Sequence, residues 1–373
     1  MAPWKDCLLG DIVRFGNGKS IKPGGEGIYP VYGSNGIIGG CDEFRHENGV
    51  IIGRVGAYCG SVVYCPSKFW ASDNTLIAYP ASESVDTNFL YYLLFDSKLS
   101  RYAGGAAQPL VTQIVLKQVA VRVPPLPIQR RIAGILSAYD ELIENSQRRI
   151  KILESMARGL YREWFRSSDS DRFISADQLV NDGILEINDG YRAKNSELGD
   201  IGLPFARAGN VNNGFLFDNA DILAEQYLSR VGSKRSVNGD VVFTSKGTVG
   251  RFARVRERTP EFVYSPQLCF WRVRKMEALS PNYLYRWMQS REFLDQVDCV
   301  KGSTDMADYV SLSNQRKMIV RIPCAAAQKK GDTALGPVED LIGALDDQIQ
   351  NLRRTRNLLL PRLLSGQIDL KVD

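Results

Sequence analysis

Histidine is almost absent from this chain of 373 residues: His46 is the single one. A nucleophile–imidazole pair therefore has one candidate base, and no serine or cysteine stands out as its partner. Seven cysteines are scattered at Cys7, Cys41, Cys59, Cys65, Cys269, Cys299 and Cys324, and none forms a CxxC pair. A structural zinc site usually takes four Cys or His ligands in closely spaced pairs, so none is expected. Unpaired, scattered thiols fit a reduced, cytosolic protein. Nowhere do 18 apolar residues follow one another, which leaves no membrane-spanning helix. The opening MAPWKDCLLGDIVRF has no basic segment followed by an apolar run, so no leader is expected and a cytoplasmic location is. Charge of one sign is lacking too. Lys and Arg number 47 against 42 Asp and Glu, a net +5 that permits nucleic acid without demanding it.

Cofactor motifs are missing as well. Gly18-Lys19-Ser20 looks like the end of a phosphate-binding loop, but that motif needs glycine where Val13 stands. A helix should follow, and Ile21-Lys22-Pro comes instead. No G-x-G-x-x-G follows a strand pattern, so a dinucleotide site is unsupported. Neither Asn-Pro-Pro-Tyr nor Asp-Pro-Pro-Tyr, the tetrapeptides of amino-methyltransferases, occurs. No carboxylate pair is singled out for acid–base work.

What the chain does have is a repeat. Residues 49–63, GVIIGRVGAYCGSVV, resemble 239–253, GDVVFTSKGTVGRFA, with a one-residue slip in the loop. Each reads as strand, glycine-bearing turn, strand. Phe69-Trp-Ala-Ser-Asp-Asn-Thr-Leu answers Val263-Tyr-Ser-Pro-Gln-Leu-Cys-Phe, and Asn88-Phe-Leu-Tyr-Tyr answers Asn282-Tyr-Leu-Tyr-Arg, both 194 residues apart. Val119-Ala-Val-Arg-Val-Pro answers Met318-Ile-Val-Arg-Ile-Pro, and Gln129 answers Gln328, both 199 apart.

Two helical seams complete the pattern. Ile132, Leu136, Tyr139, Ile143, Ser146, Ile150, Leu153, Ala157, Leu160 and Trp164 alternate in steps of four and three, as a heptad seam does. Adding 206 gives Val338, Ile342, Leu345, Ile349, Leu352, Arg356, Leu359 and Leu363. The change of offset from 199 to 206 predicts seven extra residues before the second helix. Matched seams in one chain argue that the helices pack on each other; separate packing of each on its own domain is the alternative. Residues 132–164 as a helix would extend about 50 Å at 1.5 Å per residue. Pro361 predicts a kink or restart in the second helix, and Gly134 and Gly159 weaken the first. The expected organisation is a first domain over 1–123, a helix over 124–167, a second domain over 168–330 and a helix over 331–373. The fold class is α+β: two similar α/β domains separated by two long helices.

The turns hold groups suited to reading DNA, where Lys and Arg on phosphates give affinity and Arg, Asn and Gln on base edges give discrimination. In the first domain these are Lys19, Lys22, Ser34, Asn35, Arg54, Tyr58 and Gln108; in the second, Arg207, Asn210, Asn212, Asn213, Lys246 and Arg251. Asn beside Gly also serves a tight turn for purely conformational reasons. Arg54 and Lys246 occupy matching places in the repeated loop. The stretch Lys246–Arg258 carries five cations and one anion, which reads either as a phosphate patch or as a solvated strand face. Arg148, Arg149, Lys151, Arg353 and Arg354 read as solvated helix faces, or as contacts to a partner or to DNA.

At this point the chain resembles a known family. Pro124-Pro-Leu-Pro-Ile-Gln-Arg-Arg-Ile-Ala-Gly-Ile-Leu, with Asp140-Glu-Leu-Ile-Glu and Tyr161-Arg-Glu-Trp-Phe, is similar to the central region of type I restriction–modification specificity subunits. Leu358-Leu-Leu-Pro-Arg-Leu-Leu-Ser-Gly-Gln-Ile is similar to their distal region. Tyr32-Gly-Ser-Asn-Gly, Gly190-Tyr-Arg-Ala-Lys-Asn and Pro204-Phe-Ala-Arg-Ala-Gly-Asn-Val-Asn-Asn-Gly also resemble recognition-domain phrases. The second repeat departs from the pattern, with Ile322-Pro-Cys-Ala-Ala-Ala-Gln in place of Pro-Pro-Leu-Pro.

The resemblance implies a non-catalytic subunit. Each target recognition domain would read one half of a split site in double-stranded DNA, and the helices would form an antiparallel coiled-coil spacer that sets the gap. Two methyltransferase (modification) subunits would dock on the helices, and restriction (translocase/nuclease) subunits would join them. S-adenosylmethionine, ATP and Mg would act on those partners, and this chain would hold no cofactor or metal. Three alternatives stand beside it: the specificity subunit of another multi-subunit DNA methyltransferase, a self-contained enzyme, and a coiled-coil scaffold without DNA reading.

Overall fold

A computed structural model describes residues 4–22, 27–105, 108–212, 214–218, 220–301 and 308–370. The chain divides into two compact units, Met1–Asn145 with Ile349–Asp373, and Ser146–Gln348.

In the first unit, β1 (Lys5–Leu8) leads through a single helical turn, α1 (Leu9–Ile12), into β2 (Val13–Asn17). β3 (Tyr29–Gly33), β4 (Gly36–Cys41), β5 (His46–Gly53), β6 (Val62–Ala71) and β7 (Thr75–Pro80) follow. They form a six-stranded sheet in the order β2-β7-β5-β6-β3-β4. The central runs Val50-Ile51-Ile52 and Leu76-Ile77-Ala78 are buried on both faces, which is why they read as continuous apolar runs rather than alternating ones. α2 (Thr87–Asp96) begins where the Asp86 carboxylate accepts the Phe89 N–H at 2.9 Å, an N-cap of the usual kind. Its Phe89, Leu90, Leu93 and Leu94 enter the same core as Val50, Ile52, Leu76 and Ala78. α3 (Gln113–Lys117) precedes β8 (Ala120–Val123), which pairs antiparallel with β1.

The second unit repeats this plan with smaller sheets. β9 (Arg172–Ser175) pairs with β18 (Ile319–Ile322), as β1 pairs with β8. α5 (Ala176–Asn181) follows β9. One four-stranded sheet orders β10 (Leu185–Asp189), β17 (Leu268–Val273), β14 (Val241–Thr244) and β15 (Phe252–Arg254). Another orders β11 (Leu198–Gly199), β13 (Asp221–Ala224), β12 (Gly202–Ala206) and β16 (Val263–Tyr264). α6 (Pro281–Trp287), capped by Ser280, stands where α2 stands in the first unit, and α7 (Arg291–Val300) and α8 (Leu312–Lys317) complete the fold.

Two long helices remain, α4 (Leu126–Trp164, 39 residues) and α9 (Ala325–Leu364, 40 residues). Each contributes a segment to both units. In the first, Ile132, Ala133 and Leu136 share a core with Leu360, Leu363 and Leu364, and Asp140 pairs with Arg356. In the second, Ala157, Tyr161 and Phe165 share a core with Leu335, Val338 and Ile342, and a Cβ on Gly331 would strike the Phe165 ring. Within each unit the segments therefore run antiparallel. The fold is α+β with two long helices, as expected.

Several sequence expectations need correction. α4 and α9 begin 199 residues apart, so no seven residues are inserted before the second helix. A heptad seam looks the same after a shift of seven, so periodicity alone could not choose between 199 and 206. α9 runs without a break through Pro361, as it does through Pro337, because packing of its apolar face into the cores outweighs the local cost of a proline. α4 likewise continues through Gly134 and Gly159. Trp164 stands 41% exposed while Phe165 is buried, so Tyr161 and Phe165 end the buried stripe. Of the seam, Ile132, Leu136, Ile143, Val338, Ile342, Leu345 and Ile349 are buried, whereas Tyr139, Ile150, Leu153, Leu160, Leu352 and Leu359 are half-buried.

Candidate nucleic-acid interface

Hydrogen bonds between turns gather the loops of the first unit. Arg54 follows β5, and its N–H donates to the Asn74 carbonyl at 2.9 Å while its own carbonyl accepts from Val111 at 3.0 Å. The Ser34 hydroxyl donates to the same Asn74 carbonyl at 2.6 Å, and Ser61 Oγ donates to the Ser34 carbonyl at 2.8 Å. The Lys19 N–H donates to Ala71, and Gly18 lies so close that a Cβ would meet the Ser72 carbonyl. The turns carrying Lys19, Ser34 and Arg54 are thus tied to the 71–75 connection. Gly56 donates to Pro109 at 3.1 Å, which brings in the segment beside Gln108. Lys19, Lys22, Asn35, Tyr58 and Gln108 are exposed. Ser34 is spent on holding the loops. Arg54 is half-buried, and its Nε has no hydrogen-bond partner.

The second unit builds the same framework. The Ser245 N–H donates to the Gln267 carbonyl at 2.9 Å, and its carbonyl accepts from Val310 at 2.9 Å. Ser265 donates to Ala206 as Ser72 does to Tyr32, each at 2.9 Å. The Tyr191 N–H donates to Tyr264 as Lys19 does to Ala71, and Gly190 sits against Ser265 as Gly18 sits against Ser72. This register corrects two sequence pairings. Arg54 corresponds to Ser245 rather than Lys246. Trp70 and Ala71 correspond to Val263 and Tyr264, each pair bonding the preceding parallel strand, so that match is offset by 193 rather than 194. A one-residue slip costs little in sequence similarity, but it reverses which side chain faces the core. The correct register would have exposed Asn74 and Gln267, a matched pair of loop organisers that sequence reasoning missed.

The polar residues of the second set divide by role. Asn210 is a turn residue: its Oδ1 accepts the Arg207 N–H at 2.8 Å and its Nδ2 donates to the Leu216 carbonyl at 2.9 Å. Arg207 is exposed, lies 5.2 Å over the Phe205 ring and pairs with Asp221 at 2.7 Å. Lys246 is exposed and stands 6.0 Å from the centroid of Tyr309. Asn212 and Arg251 are exposed and line one cleft. Asn213 lies outside the described residues.

The basic stretch is largely consumed within its own unit. Arg254 bonds Asn282, and burial pulls its guanidinium below the ordinary value. Arg256 pairs with Asp346 at 3.2 Å and with the buried Glu339 at 3.4 Å, while Arg258 lies 3.9 Å from Asp347. Three of the five cations thus face carboxylates or amides of their own unit, Arg258 only at the exposed surface, whereas Lys246 and Arg251 are exposed with no ion pair among the described residues. His46 points elsewhere: its Nδ1 is 3.1 Å from the Tyr79 hydroxyl, and burial, with Arg45 adding to it, lowers its pKa. All seven cysteines are free. Among the described residues no group of three His, Cys, Asp or Glu is placed to hold a metal, and no helix is long and apolar enough to cross a membrane.

Comparison with known proteins agrees with this arrangement. Residues 1–155 match the family model of the type I restriction modification DNA specificity domain. The MjaIX type I restriction enzyme specificity subunit of Methanocaldococcus jannaschii is 26% identical, over 77% of this chain and 70% of that one. The MjaVIII specificity subunit of the same organism is 21% identical, over 99% and 93%. The crystal structure of a type I restriction–modification S subunit from M. genitalium superposes with a TM-score of 0.60 over 99% of this chain and 97% of that one, at 18% identity, which shows a shared fold. The family resemblance read from the sequence motifs is borne out: the chain is similar to type I specificity subunits, over 77% of its length in one and 99% in another.

Proposed function

We propose that this chain is the DNA-specificity subunit of a type I restriction–modification complex, each unit reading one half of a bipartite site in double-stranded DNA. The observation that supports this most is the duplicated loop framework. Two independent sets of turns hang on matching backbone hydrogen bonds, Arg54–Asn74 and Ser245–Gln267, yet they present different side chains. A shared scaffold with divergent loops is what two readers of different half-sites require. In the first unit Lys19, Lys22, Asn35, Arg54, Tyr58 and Gln108 are the contacts we assign, with Ser34 as a loop organiser. In the second they are Arg207, Asn212, Lys246 and Arg251, with Asn210 as a turn residue. Asn213 is assigned on sequence alone.

In this reading α4 and α9 fix the gap between half-sites and dock two methyltransferase subunits, and the restriction subunits join them in the cytoplasm. S-adenosylmethionine, ATP and magnesium act on those partners, and this chain contributes no catalysis. The test is genome-wide adenine-methylation mapping in a host expressing the chain with its methyltransferase subunit, against the methyltransferase alone. A new two-part motif with a constant gap supports the proposal. Its absence despite a stable complex, together with no affinity for duplex DNA at low salt, would leave the helices as an assembly scaffold.

A further inference from the structure

One cleft of the second unit joins two of the assigned loop contacts, Asn212 and Arg251, to charges on α4 that the proposed contacts do not use. It is lined by Lys151, Glu154 and Arg158 of α4, Asn212, Arg251 of the β14–β15 turn and Gln289 just beyond α6. Positions 151, 154 and 158 are three and four residues apart, so they share one face of the helix. Lys151 and Arg251 are exposed and form no ion pair among the described residues. Arg158 lies 3.7 Å from Glu154, but that carboxylate is also held by Arg286 at 2.6 Å. The cleft therefore has three cations and a single shared anion. Gln289 adds a donor: its Nε2 is buried and has no hydrogen-bond partner. An anion with several acceptor oxygens would satisfy that amide and the free cations together.

The repeat shows that this is not a requirement of the fold. The Arg251 carbonyl accepts the Thr244 N–H as the Ser61 carbonyl accepts the Gly53 N–H, so the first unit has serine where the second has arginine. α2 and α6 align through their caps, Asp86 and Ser280, which places Phe95, 40% exposed, opposite Gln289.

Resting on the function proposed above, we infer that this cleft is a phosphate subsite specific to the second unit. It grips one backbone phosphate of the bound duplex through Arg251, Lys151 and Arg158, with the Gln289 amide completing the contact. Such a contact adds affinity and orientation without sequence information.

The experiment uses the full chain assembled with its modification subunits and a target duplex, titrated at several salt concentrations. Arg251→Gln and Lys151→Gln remove exposed charges with no side-chain partner. Each should lower the slope of log Kd against log salt by about 0.9. Lys151→Gln, which lies outside the loop contacts assigned above, should also weaken binding equally on target and unrelated duplexes and leave the methylated motif unchanged. An unchanged slope and affinity in both variants, while the wild-type complex still binds, overturns the subsite and spares the specificity reading. An unchanged slope with weaker assembly of the modification subunits overturns it in favour of protein docking. If only binding of free inorganic phosphate is lost, measured by phosphorus NMR, the site is not a DNA contact. A wild-type complex with no DNA affinity overturns both proposals.

Discussion

Gln129 and Gln328 make the same three hydrogen bonds in the two units. Gln129 Oε1 accepts the Asp86 N–H at 2.9 Å, and its Nε2 donates to the Ser84 and Pro124 carbonyls at 3.0 and 2.9 Å. Gln328 Oε1 accepts the Ser280 N–H at 2.8 Å, and its Nε2 donates to Ala278 and Pro323 at 3.2 and 2.9 Å. Each side chain ties the first turn of a long helix to the start of the short helix packed on the sheet. Replacing either with alanine strands buried backbone groups and should cost about 1–3 kcal/mol. Urea unfolding followed in each unit separately should show Gln129→Ala acting on the first and Gln328→Ala on the second. Equal loss in both units would contradict the independence of the two frameworks.

Arg286 occupies the most demanding electrostatic position. Its side chain is 1% exposed and pairs with Glu339 and with Glu154, joining α6 to both long helices. Arg286→Met leaves Glu154 and Glu339 with only the more distant Arg158 and Arg256, at 3.7 and 3.4 Å, and should destabilise the second unit by up to about 3–5 kcal/mol. Adding Glu339→Gln should recover part of that loss, because one stranded charge is removed. The measurement is the midpoint of chemical unfolding of the single and double variants.

His46 offers a clean pH test, since no other imidazole titrates. Burial first, and the charge of Arg45 second, lower its pKa in the folded protein. The neutral ring is therefore favoured by folding. Its contribution is complete above the unfolded value near 6.5 and is lost as pH falls from there through the lower folded value. Stability measured from pH 8 to pH 5 should fall more steeply in wild type than in His46→Phe, which keeps an aromatic ring beside Phe69 and Tyr79. Parallel curves would mean that the imidazole titrates alike folded and unfolded.

Gly18 and Gly190 should separate the two half-sites. A Cβ at either would collide with a backbone carbonyl, that of Ser72 or of Ser265, and backbone cannot move aside as a flexible side chain can. Alanine at either position should cost about 1–3 kcal/mol or more. In methylation mapping, Gly18→Ala should erode one half of the motif and Gly190→Ala the other. Loss of both halves from a single substitution would argue against modular reading.

Much of this architecture is legible in the amino-acid order. Heptad steps from Ile132 onward and again through Val338 announce two long helices, and the Val-Arg-Val-Pro and Val-Arg-Ile-Pro phrases mark the repeat. Both signals are local: they depend on which residues follow one another. The register between repeats was not available in that way. A heptad pattern is unchanged by a shift of seven; the helix starts at Leu126 and Ala325, with the matching bonds of Gln129 and Gln328, choose 199 over 206. The 54–61 and 245–251 loops differ by one residue, so only the bonds to Asn74 and Gln267 set Arg54 opposite Ser245.

The fate of the charges was equally hidden. Sequence shows five cations between Lys246 and Arg258, but free and neutralised guanidinium groups look identical there. The fold brings Glu339, Asp346 and Asp347, some 90 residues distant, against Arg256 and Arg258 and leaves Arg251 in an open cleft with Lys151. Composition and periodicity determined the helices, the strands and their duplication, because those follow from short-range sterics and apolar spacing. Which cations remain free to meet an anion was decided by the tertiary structure alone, because Coulomb attraction depends on distance in space and takes no account of distance along the chain.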